Sequence, residues 1–180
     1  MSETSKALQI EDISFLITDS LIFICSDIGL MNEELGLYPF LSAKENLELI
    51  TLRHNCNYTS SELETFISNY KLDNTMNVSK FSTGMKKKLS FLGTLLHKPR
   101  LFLLDEPFSG VDPIAQKFLI NQIKETSTDE NAFVIVNHDL ASTMKFCNKF
   151  LIIRDGEIVF YSDKPDDINN LEKIYQEYSE

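Results

Sequence analysis

The sequence lacks a long apolar run and is poor in cysteine, and these two absences exclude several kinds of protein. No apolar stretch reaches the roughly 18 residues of a membrane-spanning helix. The longest one near the start, SLIFICSDIGL, is broken by Asp27. The three cysteines are far apart and show no CxxC spacing, and no secretory signal peptide is recognised. We therefore expect reduced cytosolic thiols rather than disulfides.

Positive charge is also scarce, since 17 basic residues stand against 27 acidic ones and the formal net charge is -10. Sequence-independent binding to nucleic acid needs a basic face, so this class of function is disfavoured, as is adsorption to anionic lipid. The chain has 180 residues, of which 43% are hydrophobic. That length and composition are typical of one globular domain with a sizeable core.

The first half of the chain predicts strands followed by helices. Residues 1–28 read as strand-like, whereas 42–75 and 85–97 read as helical. Two matches to the capping box predict helix starts, SAKE at Ser42 to Glu45 and SELE at Ser61 to Glu64. The predicted class is therefore α/β, with a mainly helical insert at about 42–90.

The second half predicts a strand, a helix and a parallel strand, followed by a hairpin. LFLL (101–104) and FVIV (133–136) are continuous apolar runs, as expected for parallel strands buried on both faces in a right-handed crossover unit. Asp112 and Pro113 suit the start of the helix between them. Its predicted buried stripe is Ile114, Phe118, Leu119 and Ile123. Asp155-Gly156 predicts a tight hairpin turn, and DINNLEKIYQEYSE a short final helix.

An acidic pair stands where the first of these strands ends. In open α/β sheets ligands bind beyond the carboxyl ends of the strands. Asp105 could hold Mg²⁺ there, and Glu106 could orient or deprotonate an attacking water. His138 follows the next strand and could contact a γ-phosphate. The alternative is that these are ordinary strand-end acids and a hydrogen-bonded structural histidine.

A turn with a hydroxyl and a glycine precedes the lysine-rich helix. Ser82, Thr83 and Gly84 place backbone N–H groups at a helix start, which is typical of an anion site. The alternative is a plain helix cap followed by solvated lysines.

The order of these motifs resembles the ATP-binding subunits of ABC transporters over nearly the whole chain. FSTGM (81–85) is similar to the signature motif, and its GMKKKL continuation to the bacterial exporter version. LFLLDEP (101–107) resembles Walker B, SGVDP (109–113) the D-loop centred on Asp112, and VNHD (136–139) the switch region. IGLMNEELGLYPFLSAKENL (28–47) resembles the Q-loop and the start of the helical subdomain.

This resemblance implies a fold and a set of site residues. The expected fold is a P-loop NTPase-like core with a mainly parallel sheet and a helical subdomain. One domain would span 1–180, with the helical subdomain at about 42–90 and a RecA-like core at 1–41 and 91–180. Implied catalytic residues are Glu106 and His138, and implied Mg²⁺ ligands are Asp105 and Glu33. Implied nucleotide-binding residues are Ser82, Thr83, Gly84 and Asp112.

Three departures from the family pattern stand out. Glu33 occupies the glutamine position of the Q-loop, where a glutamate can still bind Mg²⁺ or water. Thr83 and Met85 replace a glycine and a glutamine of the signature. No G-x-x-x-x-G-K-[ST] phosphate loop, Walker A, occurs in the 180 residues, and the one glycine in residues 1–32 is Gly29.

We interpret the missing loop as an N-terminally incomplete domain. One alignment starts the chain just after the phosphate-loop helix. The other makes IEDISFLI the preceding strand, with an internal deletion after it. In either case we expect an exposed apolar face and edge on the sheet, marginal stability of the chain alone, and no tight binding of ATP.

The expected function is that of an ATP-binding and ATP-hydrolysing subunit that powers export, with ATP and Mg²⁺ as cofactors. Expected partners are a transmembrane permease and a second ABC ATPase subunit, in a homo- or heterodimer, and no nucleic acid. The expected location is the cytoplasmic face of the cell membrane. Because the phosphate loop is missing, this chain is expected not to hydrolyse ATP alone.

Two alternatives fit the same motifs. In the first, the chain is an incompetent partner that donates Ser82 and Gly84 in trans to an intact ABC ATPase. In the second, it is a soluble ABC-type ATPase of translation or DNA repair. Such proteins usually carry two cassettes or long insertions, which this chain lacks.

Overall fold

The computed structural model describes residues 27–32, 36–163 and 168–179. Most of the strand-like stretch predicted at 1–28 lies outside the described residues, as does Glu33. The strands are β1 Ile28–Met31, β2 Leu101–Asp105, β3 Ala132–Val136, β4 Lys149–Arg154 and β5 Glu157–Asp163. The α-helices are α1 Ala43–Arg53, α2 Ser60–Asn69, α3 Thr83–Leu95, α4 Pro113–Thr126, α5 Leu140–Thr143 and α6 Ile168–Ser179. A 3₁₀ turn spans Val78–Lys80.

The first three strands form a parallel sheet in the order β1-β2-β3. Leu101 of β2 pairs with Ile28 on one side and with Ala132 on the other. The prediction that LFLL and FVIV are parallel strands is confirmed. Because all three strands point the same way, their carboxyl ends lie along one edge of the sheet.

The prediction that these strands are buried on both faces is wrong. Phe102 and Leu104 are buried and belong to the main core. On the other face Leu30, Val134 and Val136 are 60%, 47% and 55% exposed. Successive side chains of a strand point to opposite faces, so a continuous apolar run reads the same whether one face or both are covered. The sheet therefore has the exposed apolar face that was expected.

Both helices of the 42–75 stretch begin with a capping box. Ser42 accepts a hydrogen bond from the Glu45 N–H and its own N–H donates to the Glu45 carboxylate, as predicted. The second box is made by Thr59 and Glu62 and not by Ser61 and Glu64. The sequence TSSELE contains two overlapping matches, and the helix starts at the first of them. Glu64 instead pairs with Lys44 of α1 at 2.7 Å.

The start of α4 is confirmed, but part of its predicted buried stripe is wrong. Asp112 caps the helix and Pro113 occupies its first turn. The residues buried on this helix are Ala115, Leu119, Ile120 and Ile123. Ile114 is 83% exposed. The buried face includes the small Ala115, whose close approach to Gly84 is passed over by a search for large apolar residues.

The predicted hairpin and final helix are confirmed. β4 and β5 pair antiparallel, and Asp155 and Gly156 form the turn with φ of 53° and 84°. Two positive φ values are typical of a type I′ turn, which suits the twist of a hairpin. No helix in the part of the chain that the structure describes is long and apolar enough to cross a membrane.

A pair of stacked histidines connects the helices to the sheet. The rings of His54, after α1, and His97, after α3, lie 4.0 Å apart and nearly parallel. His97 Nε2 donates to the carbonyl of Ile28 at 2.9 Å, which attaches β1 to this pair. Burial lowers the pKa of His54, and the neighbouring His97 and Arg53 lower it further.

The overlapping capping boxes give a test of where α2 begins. Thr59→Ala removes the side chain that accepts from the Glu62 N–H, so the free energy of unfolding should fall by about 1 kcal/mol. Ser61→Ala is the matched control, and it should change stability by less than about 0.5 kcal/mol. Urea unfolding followed by circular dichroism measures both. If Ser61→Ala lowered the free energy of unfolding more than Thr59→Ala, Thr59 would not be the residue that caps α2.

The histidine stack should make stability depend on pH. The pKa of His54 is lower in the folded chain than its ordinary value of 6.5, so the unfolded chain binds more protons below about pH 6.5 and acidification removes stability. His54→Phe keeps a ring for stacking but does not titrate. We expect its unfolding free energy to fall less than that of the wild type between about pH 7 and pH 5.5. Equal slopes in urea unfolding would contradict this.

Candidate functional site

The acidic pair lies at the carboxyl end of the central strand. Asp105 is the last residue of β2 and is exposed to solvent. Glu106 follows it with a φ of 47°, a left-handed conformation that is uncommon for a residue other than glycine. Its N–H donates to the carbonyl of Val136 at the end of β3, at 3.0 Å. The pair is thus tied to the ends of two neighbouring strands.

The side chain of Glu106 points to the histidine that follows β3. Its Oε1 lies 3.2 Å from Nε2 of His138, and the two side chains are 16% and 85% exposed. The two atoms are not hydrogen-bonded to each other. Oε1 of Glu106 is buried and has no hydrogen-bond partner. Buried carboxylate oxygens are normally satisfied, so an unsatisfied one beside an exposed imidazole suits a bound water or ligand.

The left-handed conformation of Glu106 needs support from its surroundings. Such a conformation costs on the order of 1–3 kcal/mol for a residue with a side chain and persists only where contacts hold it. The Glu106 carbonyl accepts two hydrogen bonds, from the Ser109 N–H at 3.2 Å and from Lys87 Nζ at 2.6 Å. Lys87 belongs to α3 and is 3% exposed. A hydrogen bond to a charged donor contributes about 1.5–3 kcal/mol.

The Ser82, Thr83 and Gly84 turn lies at the start of α3, which begins at Thr83 and thus earlier than the helix predicted at 85–97. Ser82 is exposed and caps the helix, and its hydroxyl accepts from the Met85 N–H at 3.2 Å. Gly84 is buried, and a Cβ at its position would lie 2.9 Å from the Cβ of Ala115. That distance is closer than carbon atoms normally approach, so only glycine fits here without a shift of α4.

Asp112 lies beside this turn. One carboxylate oxygen, Oδ1, accepts from the N–H groups of Ile114 and Ala115, both at 3.0 Å. The other, Oδ2, would be 3.3 Å from a Cβ at Gly84. The start of α3 and the loop before α4 are therefore packed against each other. Sequence positions 84 and 112, which both carry predicted site residues, are neighbours in space.

A small network fixes the chain after His138. Asp139 caps α5 and accepts from both the N–H and the hydroxyl of Ser142. The hydroxyl of Ser142 lowers the pKa of Asp139. Gln116 of α4 donates to the same hydroxyl at 2.7 Å. The stretch that carries His138 is thereby attached to the helix that Asp112 begins.

The predicted residues fall into two groups that Lys87 connects. The first consists of Asp105, Glu106 and His138, and the second of Ser82, Thr83, Gly84 and Asp112. Lys87 was not predicted as a site residue. It stands in a run of three lysines, which reads as a solvated helix face. Its spacing of three from Gly84 places it on the same side of the helix, but Lys88, at a spacing of four, shares that side, so the sequence does not single Lys87 out.

The carboxylates at the end of β2 could supply some of the ligands of a divalent cation. Carboxylate oxygens are the ligands that Mg²⁺ prefers, and Asp105 and the unsatisfied Glu106 offer two of them. Within residues 27–32, 36–163 and 168–179 no group of three or more histidine, cysteine or acidic side chains is placed to hold a metal ion. Mg²⁺ keeps several waters and binds substrate phosphates, so two carboxylates are compatible with it.

A family model matches more than half of the chain. It covers residues 30–142 and is described as "AAA domain, putative AbiEii toxin, Type IV TA system". The matched range includes the end of β1, the whole of β2 and β3, the acidic pair, His138 and the turn at Ser82.

Curated relatives carry ABC transporter names. The ABC-type transporter ATP-binding protein EcsA of Bacillus subtilis (strain 168) is 29% identical over 126 residues, which is 68% of this chain and 51% of EcsA. The linearmycin resistance ATP-binding protein LnrL of the same organism is 27% identical over 144 residues, 77% of this chain and 46% of LnrL. This chain spans about half the length of such relatives.

Solved structures show the same fold. One described as the ATP-binding subunit of an ABC transporter superposes with a TM-score of 0.74 at 23% identity, covering 86% of this chain and 69% of its own. The dimeric ATP-binding cassette MJ0796, solved with ADP and Pi, gives a TM-score of 0.71 at 21% identity, covering 83% and 68%. The chain therefore belongs to the AAA-domain family that the matching model describes, it has the fold of an ABC ATPase domain, and its homologues are ATP-binding proteins of ABC transporters.

Proposed function

We propose that this chain is an ATP-binding subunit of an ABC transporter and that it powers export through a membrane partner. The observation that carries the proposal is the contact between Glu106 and His138. A buried, unsatisfied carboxylate oxygen lies 3.2 Å from an exposed imidazole, at the ends of two neighbouring parallel strands. The names and the folds of its homologues support the same conclusion.

The two side chains would act on the two reactants of ATP hydrolysis. Glu106 would orient the attacking water and accept its proton, because its Oε1 has no competing hydrogen bond. His138, exposed beside it, would donate a hydrogen bond to the γ-phosphate. Asp105 would hold Mg²⁺ together with Glu33, and the ion would offset the negative charge of the phosphates.

The start of α3 would bind phosphate. The N–H groups of a helix start favour anions, and Ser82 is exposed there. Ser82, Thr83 and Gly84 would contact the γ-phosphate, with Asp112 next to them. No G-x-x-x-x-G-K-[ST] sequence occurs in these 180 residues, so a complete nucleotide site also needs a phosphate loop from outside them.

This division of the site implies an assembly. Residues of about 42–90 would form a helical subdomain, and the rest a RecA-like core. A second ABC ATPase subunit would face the start of α3, and a transmembrane permease would bind the helical subdomain. Through the permease the chain would lie at the inner face of the cell membrane. Nucleic acid is not a proposed partner, since the net charge is -10.

Glu106→Gln gives a direct test in the assembled transporter. The complex is isolated through a tag on this chain from detergent-solubilised membranes, and the release of phosphate from MgATP is measured. A general base typically contributes 10²–10⁴-fold, so we expect the rate to fall by at least about 100-fold while the amount of purified complex stays the same.

Glu172→Gln is the matched control for this test. Glu172 is an exposed acid on α6, far in sequence from the acidic pair, so its loss should leave the rate unchanged. A Glu106→Gln complex that hydrolyses ATP at the wild-type rate would show that this carboxylate is not the base. A purified complex without ATPase activity in the wild type would remove the proposed function itself.

A further inference from the structure

We propose that Lys87 is a positioning residue: its ammonium group, bonded to the carbonyl of Glu106, holds that residue in the conformation that aims its carboxylate at His138. The bond between Lys87 Nζ and the Glu106 oxygen is 2.6 Å long. The catalytic meaning of this bond rests on the proposed function, whereas its effect on the backbone does not.

The burial of Lys87 is the first observation. Lysine is almost never fully buried unless its charge is partnered, yet this side chain is 3% exposed. Burying an ammonium group without strong acceptors is costly, so the side chain stays inside because its partners compensate the lost water. One of these partners is the main-chain carbonyl of Glu106, in the loop that follows β2.

The neighbouring lysines show that this placement is specific. Lys86 is only partly buried. Lys88 lies over the ring of Phe118 of α4, 4.3 Å from its centre. Lys87 is three residues after Gly84, which touches the loop before α4. The helical repeat therefore places Gly84 and Lys87 on the face that packs against residues 106–115.

The acceptor is a strained residue. Glu106 has a φ of 47°, and the sign of φ sets the direction in which its side chain leaves the backbone. A return to negative φ would turn the carboxylate away from its position 3.2 Å from His138. The other donor to the Glu106 carbonyl, the Ser109 N–H, is longer at 3.2 Å. The shorter of the two bonds is thus the one that Lys87 supplies.

The conformation of Glu106 can be measured in the free chain without nucleotide. A residue with positive φ has its amide and α protons unusually close together, which gives a strong intraresidue NOE in NMR spectra. We expect this NOE in the wild type and in Lys86→Met, the matched control on the same helix. In Lys87→Met it should weaken several-fold, because the carbonyl has lost its shorter bond.

Two further variants separate positioning from folding. Lys87→Arg keeps a cationic donor and should retain the NOE. Lys87→Gln keeps a polar group but is too short to reach the carbonyl, so it should lose the NOE. It replaces Lys87→Met in the test if that variant fails to fold. An unchanged NOE in Lys87→Met or Lys87→Gln, or an equal loss in Lys86→Met, overturns the proposal.

The kinetic consequence is measured in the tagged complex described above. Lys87 is buried and would act only through the main chain of Glu106, so Lys87→Met should lower kcat by about tenfold while KM for MgATP stays unchanged. Lys87→Arg should recover most of the loss. A wild-type kcat in Lys87→Met overturns the catalytic part of the proposal. A complex without any ATPase activity would instead refute the proposed function, and the NOE result would stand independently of it.

Discussion

The parallel pairing of β1, β2 and β3 is the constraint on which the candidate site depends. Parallel strands end on the same side of a sheet, so Glu106 and His138, which follow two different strands, meet at one edge. The N–H of Glu106 extends this pairing by one bond, to the carbonyl of Val136. A shift of register between β2 and β3 would move Glu106 and His138 apart.

The second group of site residues, Ser82, Thr83, Gly84 and Asp112, depends on close packing rather than on strand pairing. The absence of a side chain at Gly84 lets α3 approach Ala115 and Asp112. Main-chain N–H groups at the starts of α3 and α4 are capped by Ser82 and Asp112, so both helix starts are fixed at the point of contact. One small residue thereby sets the separation of the two helices that carry the second group of site residues.

Much of this arrangement follows from local patterns in the sequence. Four features each depend on a few neighbouring residues, and the structure confirms all of them. They are the carboxyl end of β2, the cap of α1 at Ser42, the start of α4 at Asp112-Pro113 and the hairpin turn at Asp155-Gly156. The errors concern choices that local patterns leave open. Thr59 and Ser61 both fit a capping box, and the apolar run of β3 does not tell which of its faces is covered.

Lys87 shows the limit of sequence reading most clearly. Three adjacent lysines have the same chemistry, and only the packing of α3 on the loop after β2 decides which one is buried. That packing is set by Gly84 and by a backbone conformation at Glu106 that a glutamate rarely adopts. Glu33 lies outside the described residues, so its place in the site stays a prediction from sequence.

The bond from Lys87 ends on a main-chain oxygen, and this has a consequence for how the loop tolerates change. Every residue type carries that oxygen, so the anchor does not depend on which side chain stands at position 106. A substitution at 106 alters the chemical group and leaves its support in place, whereas a substitution at 87 removes the support and leaves the group intact. The shape of the loop and the identity of its reactive group are thus encoded by separate residues.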